Sequence, residues 1–356
     1  MIYLKRDVFD KCLFDLNITT DTFKREVDVD RRTLEKILSG ATTKPHGKTI
    51  AAMAKFLNVP HDVLFDFTSS ENIKKITTRK FSPFILNSPI THPQYFYGRV
   101  DIVRKLTQLW RTKPLQNASI IGPSGIGKTS LFRYLLNISD NRYAVSGDTR
   151  KNHRKQLSRT SWLYLDLSIP AYSTPESVFK AILQFLAPDI AYNDDLDEIT
   201  FFEEMSKVNH HSKLVIIIDE IDVALARSRM LDNLFWESMR FLSGEHSEHI
   251  SFLLGSKFNP SEYSEMFGIS SPFFNIFGYR AELGSLEKTD AEEMIASSPI
   301  QFRDSDIAWI LENSRLYPRA LQLFCWELLT NLEDGNACDS WRKKALAKSK
   351  HLTELD

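Results

Sequence analysis

Gly122-Pro123-Ser124-Gly125-Ile126-Gly127-Lys128-Thr129 decides the reading of this chain. It fits G-x-x-x-x-G-K-[ST] at every fixed position, a pattern that sets glycines where backbone amides must close around phosphate oxygens. Its surroundings agree. Ala118-Ser119-Ile120-Ile121 reads as a short buried strand leading in, and Ser130 to Leu136 as an amphipathic helix leading out. That helix aims its partly positive start at the phosphates. Gly122, Ser124, Gly125, Ile126, Gly127 and Ser130 are expected to line the cradle. Lys128 is expected to reach the β- and γ-phosphates, and the Thr129 hydroxyl to bind Mg²⁺.

A second motif lies further along. Leu214-Val215-Ile216-Ile217-Ile218 is a continuous apolar run, as expected of a parallel strand covered on both faces. It ends in Asp219-Glu220-Ile221-Asp222. Paired with the glycine loop, Asp219 is assigned to Mg²⁺ and Glu220 to polarising the attacking water. Asp222 reads as a helix cap. Together the two motifs imply binding of ATP with Mg²⁺ and its hydrolysis, which a switch role would make slow.

The bulk numbers narrow the classes. With 356 residues there is room for two or three domains. A net charge of −1 gives no whole-chain attraction to nucleic acid, so any such surface must be local. No apolar run approaches the roughly 18 residues of a membrane span, and the first residues do not read as a secretory signal. Cys12, Cys325 and Cys338 are few, distant and odd in number, and no histidine has a ligand-spaced partner set. A cytoplasmic setting without a membrane partner is expected.

Residues 1–67 read as helical, without a convincing strand. Ile18 to Val27 gives a capped short helix, Asp28-Val29-Asp30 a tight turn, and Arg31 to Ser39 a second helix stopped at Gly40. Thr20 to Gly40, with the later Ala54-Lys55-Phe56-Leu57-Asn58-Val59-Pro60, resembles the helix-turn-helix of the lambda-repressor-like family. The resemblance implies DNA as a partner, with residues 30–37 in the major groove. Arg31, Arg32, Thr33 and Lys36 would face bases or phosphates, and Lys44 and Lys48 the backbone. Asp28, Asp30 and Glu35 stand against this, which keeps open a helical module that recruits a protein effector. Residues 68–94, with their prolines and basic pairs, read as a linker.

From Tyr95 the chain alternates strand and helix, the rhythm of a parallel sheet. Here it resembles the STAND branch of the AAA+-related P-loop ATPases, close to the archaeal Orc/Cdc6-like ATPases, over roughly residues 95–335. The fold class implied is an α/β P-loop NTPase sheet (core 95–285) with a helical lid (286–356), behind a small all-α domain. Tyr97-Gly98-Arg99 match the element that such proteins place near the adenine. Ser256, at the end of the strand Ile250–Ser256, is the candidate γ-phosphate sensor, with Asn259 in reserve. Leu316-Tyr317-Pro318-Arg319 resembles the lid signature, which puts Pro318 against the nucleotide and makes Arg319 a candidate sensor arginine. Leu316 stands where that signature has glycine. The Phe-rich 270–277 stretch is expected to pack under the nucleotide site, and Arg280 to reach a neighbouring phosphate. Ser139 to Thr160, basic and without apolar period, is expected to be a mobile loop. The whole reads as a DNA-binding ATPase switch. Other readings are an effector-recruiting defence or mobile-element ATPase, a nucleotide-gated regulator with little turnover, and an assembly that forms homo-oligomers on ATP.

Overall fold

The structure, a computed structural model, describes residues 2–4, 6–15, 18–39, 45–57, 59, 64–67, 82–140, 142–143, 147–190, 192, 196–208, 212–227, 231–335 and 339–350. Contacts divide the chain into two units, Met1–Phe81 and Ser82–Asp356.

The first unit holds helices α1 (Arg6–Asp15), α2 (Thr20–Glu26), α3 (Arg31–Leu38) and α4 (Gly47–Phe56). Thr19 caps α2 by accepting from the Thr22 amide, and Asp30 caps α3 by accepting from Thr33. Their apolar faces meet in one core around Phe23, Leu34, Ile37 and Met53, with Phe9 edge-on to Phe23 at 5.0 Å. The unit is not all-α. Strand β1 (Ile2–Leu4) pairs antiparallel with β2 (Phe65–Phe67), joining the two ends of the unit. Three-residue strands carry too little alternation to stand out from a helical background.

The second unit is built on a five-stranded parallel sheet: β3 (Ala118–Ile121), β4 (Thr160–Asp166), β5 (Lys213–Asp219), β6 (Ile250–Ser256) and β7 (Tyr279–Glu282). The order is β4-β5-β6-β3-β7. Both faces are covered, which is why β5 reads as unbroken apolar sequence. Leu214, Ile216 and Ile218 enter one core, and Val215 and Ile217 enter the other. Helices α5 (Val100–Leu109), α6 (Lys128–Ile138) and α7 (Asp148–Leu157) belong to the side of Val215. Helices α8 (Pro175–Leu186), α9 (Glu198–Lys207), α10 (Ile221–Ala226) and α11 (Asn233–Glu245) belong to the side of Ile216. Helix α12 (Pro260–Met266) follows β6. Phe273 packs on Trp236 and Phe252, so the Phe-rich stretch fills the Ile216-side core and does not underlie the loop.

Two expectations change here. The 139–160 stretch contains α7, whose contribution to the core is His153 and Leu157. Two apolar-side positions are too few to register as a period. The linker read over 68–94 is also shorter at its end, because residues 82–94 belong to the second unit. Phe84 is buried beside Phe302 among the lid residues, and the Ile85 amide donates to Gln322 Oε1 at 3.0 Å. The lid comprises α13 (Lys288–Ala296), α14 (Asp304–Ser314), α15 (Pro318–Glu333) and α16 (Ser340–Ser349).

Candidate functional site

The glycine loop runs from the C-terminal end of β3 to the start of α6. Gly127 precedes that helix with φ 104°, a left-handed conformation that a side chain would strain, and nothing lies within 4 Å of where its Cβ would stand. At that position the loop therefore presents bare backbone to open space. Buried Lys128 turns back, and its Nζ donates to the carbonyls of Gly122 at 2.6 Å and Pro123 at 3.3 Å. It makes no ion pair among the described residues. Burial holds its pKa below the ordinary lysine value, while Glu220, Asp219 and Asp222 pull it back up. A buried ammonium satisfied only by carbonyls is a fit for an anion.

Asp219 ends β5, one strand removed from β3 because β6 lies between. Its Oδ2 nonetheless accepts from the Thr129 hydroxyl at 2.8 Å. Gly255 in β6 is what permits this: a Cβ there would come within 2.5 Å of Asp219 Oδ1 and of Phe132 Cε2. Gly255→Ala should therefore displace the carboxylate and the Phe132 ring. We expect about 1–3 kcal/mol of destabilisation, read as a lower urea midpoint, with loss of the Thr129–Asp219 arrangement.

Two further bonds fix Asp219. The Tyr164 hydroxyl donates to the same Oδ2 at 2.9 Å, and the Glu220 amide donates to Oδ1 at 2.9 Å. Burial raises the Asp219 pKa against these three bonds, which lower it. Glu220 holds a left-handed backbone, φ 58°, unusual for a residue with a side chain. Its pKa is raised by burial first and by Asp219 second. Asp222 does not cap a helix. It lies inside α10 and accepts from the Lys257 amide at 2.7 Å, fixing the turn after β6.

A cavity of about 400 Å³ opens over the loop. Ser124 to Ser130, Tyr97, Arg99, Glu220, Pro318 and Arg319 line it, so the structure gathers most of the expected residues on one space. Gly122 and Asp219 stand behind that lining, tied to it through Lys128 and Thr129. Two expectations fail. Ser256 is fully buried and donates to the Phe258 carbonyl at 2.6 Å, so the strand-end residue at the cavity is Lys257. Gly98 faces Asp290 instead, with φ 73° and no room for a Cβ, whose nearest atom would be Oδ2 at 2.5 Å. Asn259, the reserve candidate, caps α12, and Arg280 donates to Ser261 Oγ at 3.2 Å.

The lid and residues 82–95 close the cavity. The Tyr317 hydroxyl donates to the Ser124 carbonyl, and Arg319 lies so close to Gly125 that a Cβ there would meet Arg319 Cδ at 2.8 Å. Leu316 has φ 59°, the conformation for which glycine is the easier residue. Ile85, Asn87 and Ile90 add a wall that sequence reasoning assigned to the linker. The Ile90 amide donates to Ser130 Oγ at 3.0 Å, and Arg319 donates to Asn87 Oδ1 at 3.4 Å. The apolar residues Phe84, Ile85, Leu86 and Ile90 among the prolines were the available signal.

In the first unit, Arg31, Arg32, Lys36 and Lys48 are exposed. Arg31 Nε is 3.6 Å from Glu35, and the Thr33 hydroxyl is bonded to Asp30 at 3.1 Å, so two of the expected contacts are engaged within α3. Lys44 lies outside the described residues.

Comparison with known proteins places this geometry. Residues 113–255 match the family model described as an AAA domain. The structure is similar to the Aeropyrum pernix ORC2 protein in its ADPNP–ADP complexes, with TM-score 0.55, 13% identity, and 75% and 71% of the two chains covered. It is similar to a Walker-type ATPase of Pyrococcus abyssi, with TM-score 0.51, 16% identity, and 76% and 77% covered. It is also similar to Drosophila ORC bound to DNA, with TM-score 0.50, 9% identity, and 89% and 73% covered. No curated protein matches the chain. The fold of the second unit is thus the α/β P-loop fold of AAA+ ATPases. No helix among the described residues is long and apolar enough to cross a membrane.

Proposed function

We propose that this chain is an ATP-dependent switch that binds ATP with Mg²⁺ in the cavity above the glycine loop and couples its state to DNA held by the N-terminal unit. One observation carries the nucleotide reading. A buried lysine bonded only to loop carbonyls stands beside a threonine hydroxyl that meets the strand-end carboxylate across Gly255. Lys128 would bind the β- and γ-phosphates, while Thr129 and Asp219 would hold Mg²⁺, which supplies charge neutralisation on the phosphates. Glu220 would hold and polarise the attacking water. Tyr97 and Arg99 would lie on the base side, and Arg319 would bring the lid to the phosphates. Hydrolysis would remove the contacts that favour the closed lid, as in other nucleotide switches.

The DNA reading is supported by two capped helices joined at a tight turn, with Arg32, Lys36 and Lys48 exposed. A second reading, recruitment of a protein effector, is favoured by the Arg31–Glu35 pairing, which takes one cation out of play. The test is ATP binding and phosphate release measured with and without random-sequence duplex. The DNA reading expects duplex affinity that falls with salt and with Arg32→Ala/Lys36→Ala, and turnover that changes when duplex is added. No salt-sensitive affinity would leave the effector reading in its place.

A further inference from the structure

Helix α7 and the residue after its cap are strongly basic. Residues 148–159 carry Arg150, Lys151, Arg154, Lys155 and Arg159 against the single acid Asp148, a local excess of four in a chain whose net charge is −1. The five cations divide into two sets. Arg150 turns inward and donates to the carbonyls of Pro93 at 3.1 Å and Phe96 at 3.0 Å. Arg154 turns inward to the carbonyls of Ile138, Asp140 and Tyr143, all within 2.9 Å. With His153 and Leu157 buried, this side fixes the helix to the core.

Lys151, Lys155 and Arg159 form the other set. They are exposed, and their side chains make no hydrogen bond or ion pair among the described residues. Lys151 and Lys155, at i and i+4, stand about 6 Å apart along the axis, and Arg159 follows the C-cap Ser158. Favourable interaction with the helix dipole accounts for Lys155 in the last turn but not for Lys151. The same face also carries the acid Asp148 in the first turn, with Asn152 and Ser158, and no exposed apolar residue. The core of a protein interface and insertion into a membrane ask for an apolar anchor, which is lacking here. Unpaired cations on a fixed helix and just past its cap fit a regularly charged polyanion.

We infer that Lys151, Lys155 and Arg159 form a second nucleic-acid contact, on the ATPase unit itself, that takes the phosphodiester backbone without reading sequence. The inference extends the DNA reading above to a surface remote in sequence from α3.

The test uses the full chain and random-sequence duplex, with log affinity plotted against log salt concentration. Lys151→Ala/Lys155→Ala/Arg159→Ala should lower the slope by about 2.7, at about 0.9 for each phosphate contact removed. ATP affinity and the urea midpoint should stay at the parent values. Lys343→Ala/Lys344→Ala/Lys350→Ala removes three exposed cations from the region of α16 and is the charge-matched control. An equal loss in that control, or an unchanged slope in the α7 variant while Arg32→Ala/Lys36→Ala lowers it, overturns the inference and leaves the DNA reading standing. So does loss of binding to anionic phospholipid vesicles with duplex binding intact, which would make the partner a membrane surface. A parent with no salt-dependent duplex affinity overturns both.

Discussion

Lys128→Ala should weaken ATP binding about 10²- to 10⁴-fold, from the loss of two charged hydrogen bonds of about 1.5–3 kcal/mol each. The argument begins in the free protein. Lys128 is buried and held by the Gly122 and Pro123 carbonyls, so its ammonium has already left water before a ligand arrives. A phosphate that replaces those carbonyls gains a charge-assisted contact without a further desolvation cost for the lysine. Alanine removes that gain, and it also removes the burial of an ammonium that lacks an ion-pair partner, so the ligand-free fold should lose little. The distinguishing readout is the thermal shift with nucleotide. At a ligand concentration 100-fold above the parent Kd the parent gains about 2.7 kcal/mol, and the variant should gain almost nothing. A shift equal to the parent's would mean that the nucleotide sits elsewhere, and the site assignment would fall with it.

Glu220→Gln should separate binding from chemistry. Removing a positioned base typically lowers a rate about 10²- to 10⁴-fold, and we expect phosphate release to drop by that much while ATP affinity stays within a few-fold. The geometry gives the reason. Glu220 sits at the cavity in a left-handed backbone held by its own amide bond to Asp219 Oδ1, a strained placement that glutamine can retain. Glutamine keeps size and the amide bond to Asp219, and takes away the charge that would polarise water. Single-turnover phosphate release, with nucleotide affinity measured in parallel, checks this. Unchanged turnover would move the base role to another group. A parent with no turnover at all would make the protein a nucleotide-gated binder.

The amino-acid sequence by itself determined the sheet and the glycine-loop end of the cavity. Both are written in short contiguous runs: glycines at fixed spacing, a lysine and threonine at the start of a helix, and an apolar run ending in two acids. Such signals survive because each depends on local backbone geometry or on a strand buried on both faces. Tertiary structure decided what depends on residues distant along the chain. Lys257, not Ser256, reaches the cavity because Asp222 holds the turn after β6. Gly255 matters because it lies between two strands whose ends must nearly touch. Residues 82–95 serve as a wall because Phe84 finds its core in the lid, more than two hundred residues later. α7 is a helix despite its polarity because five distant carbonyls accept its two inward arginines. No periodicity encodes a partner that the chain meets only after folding.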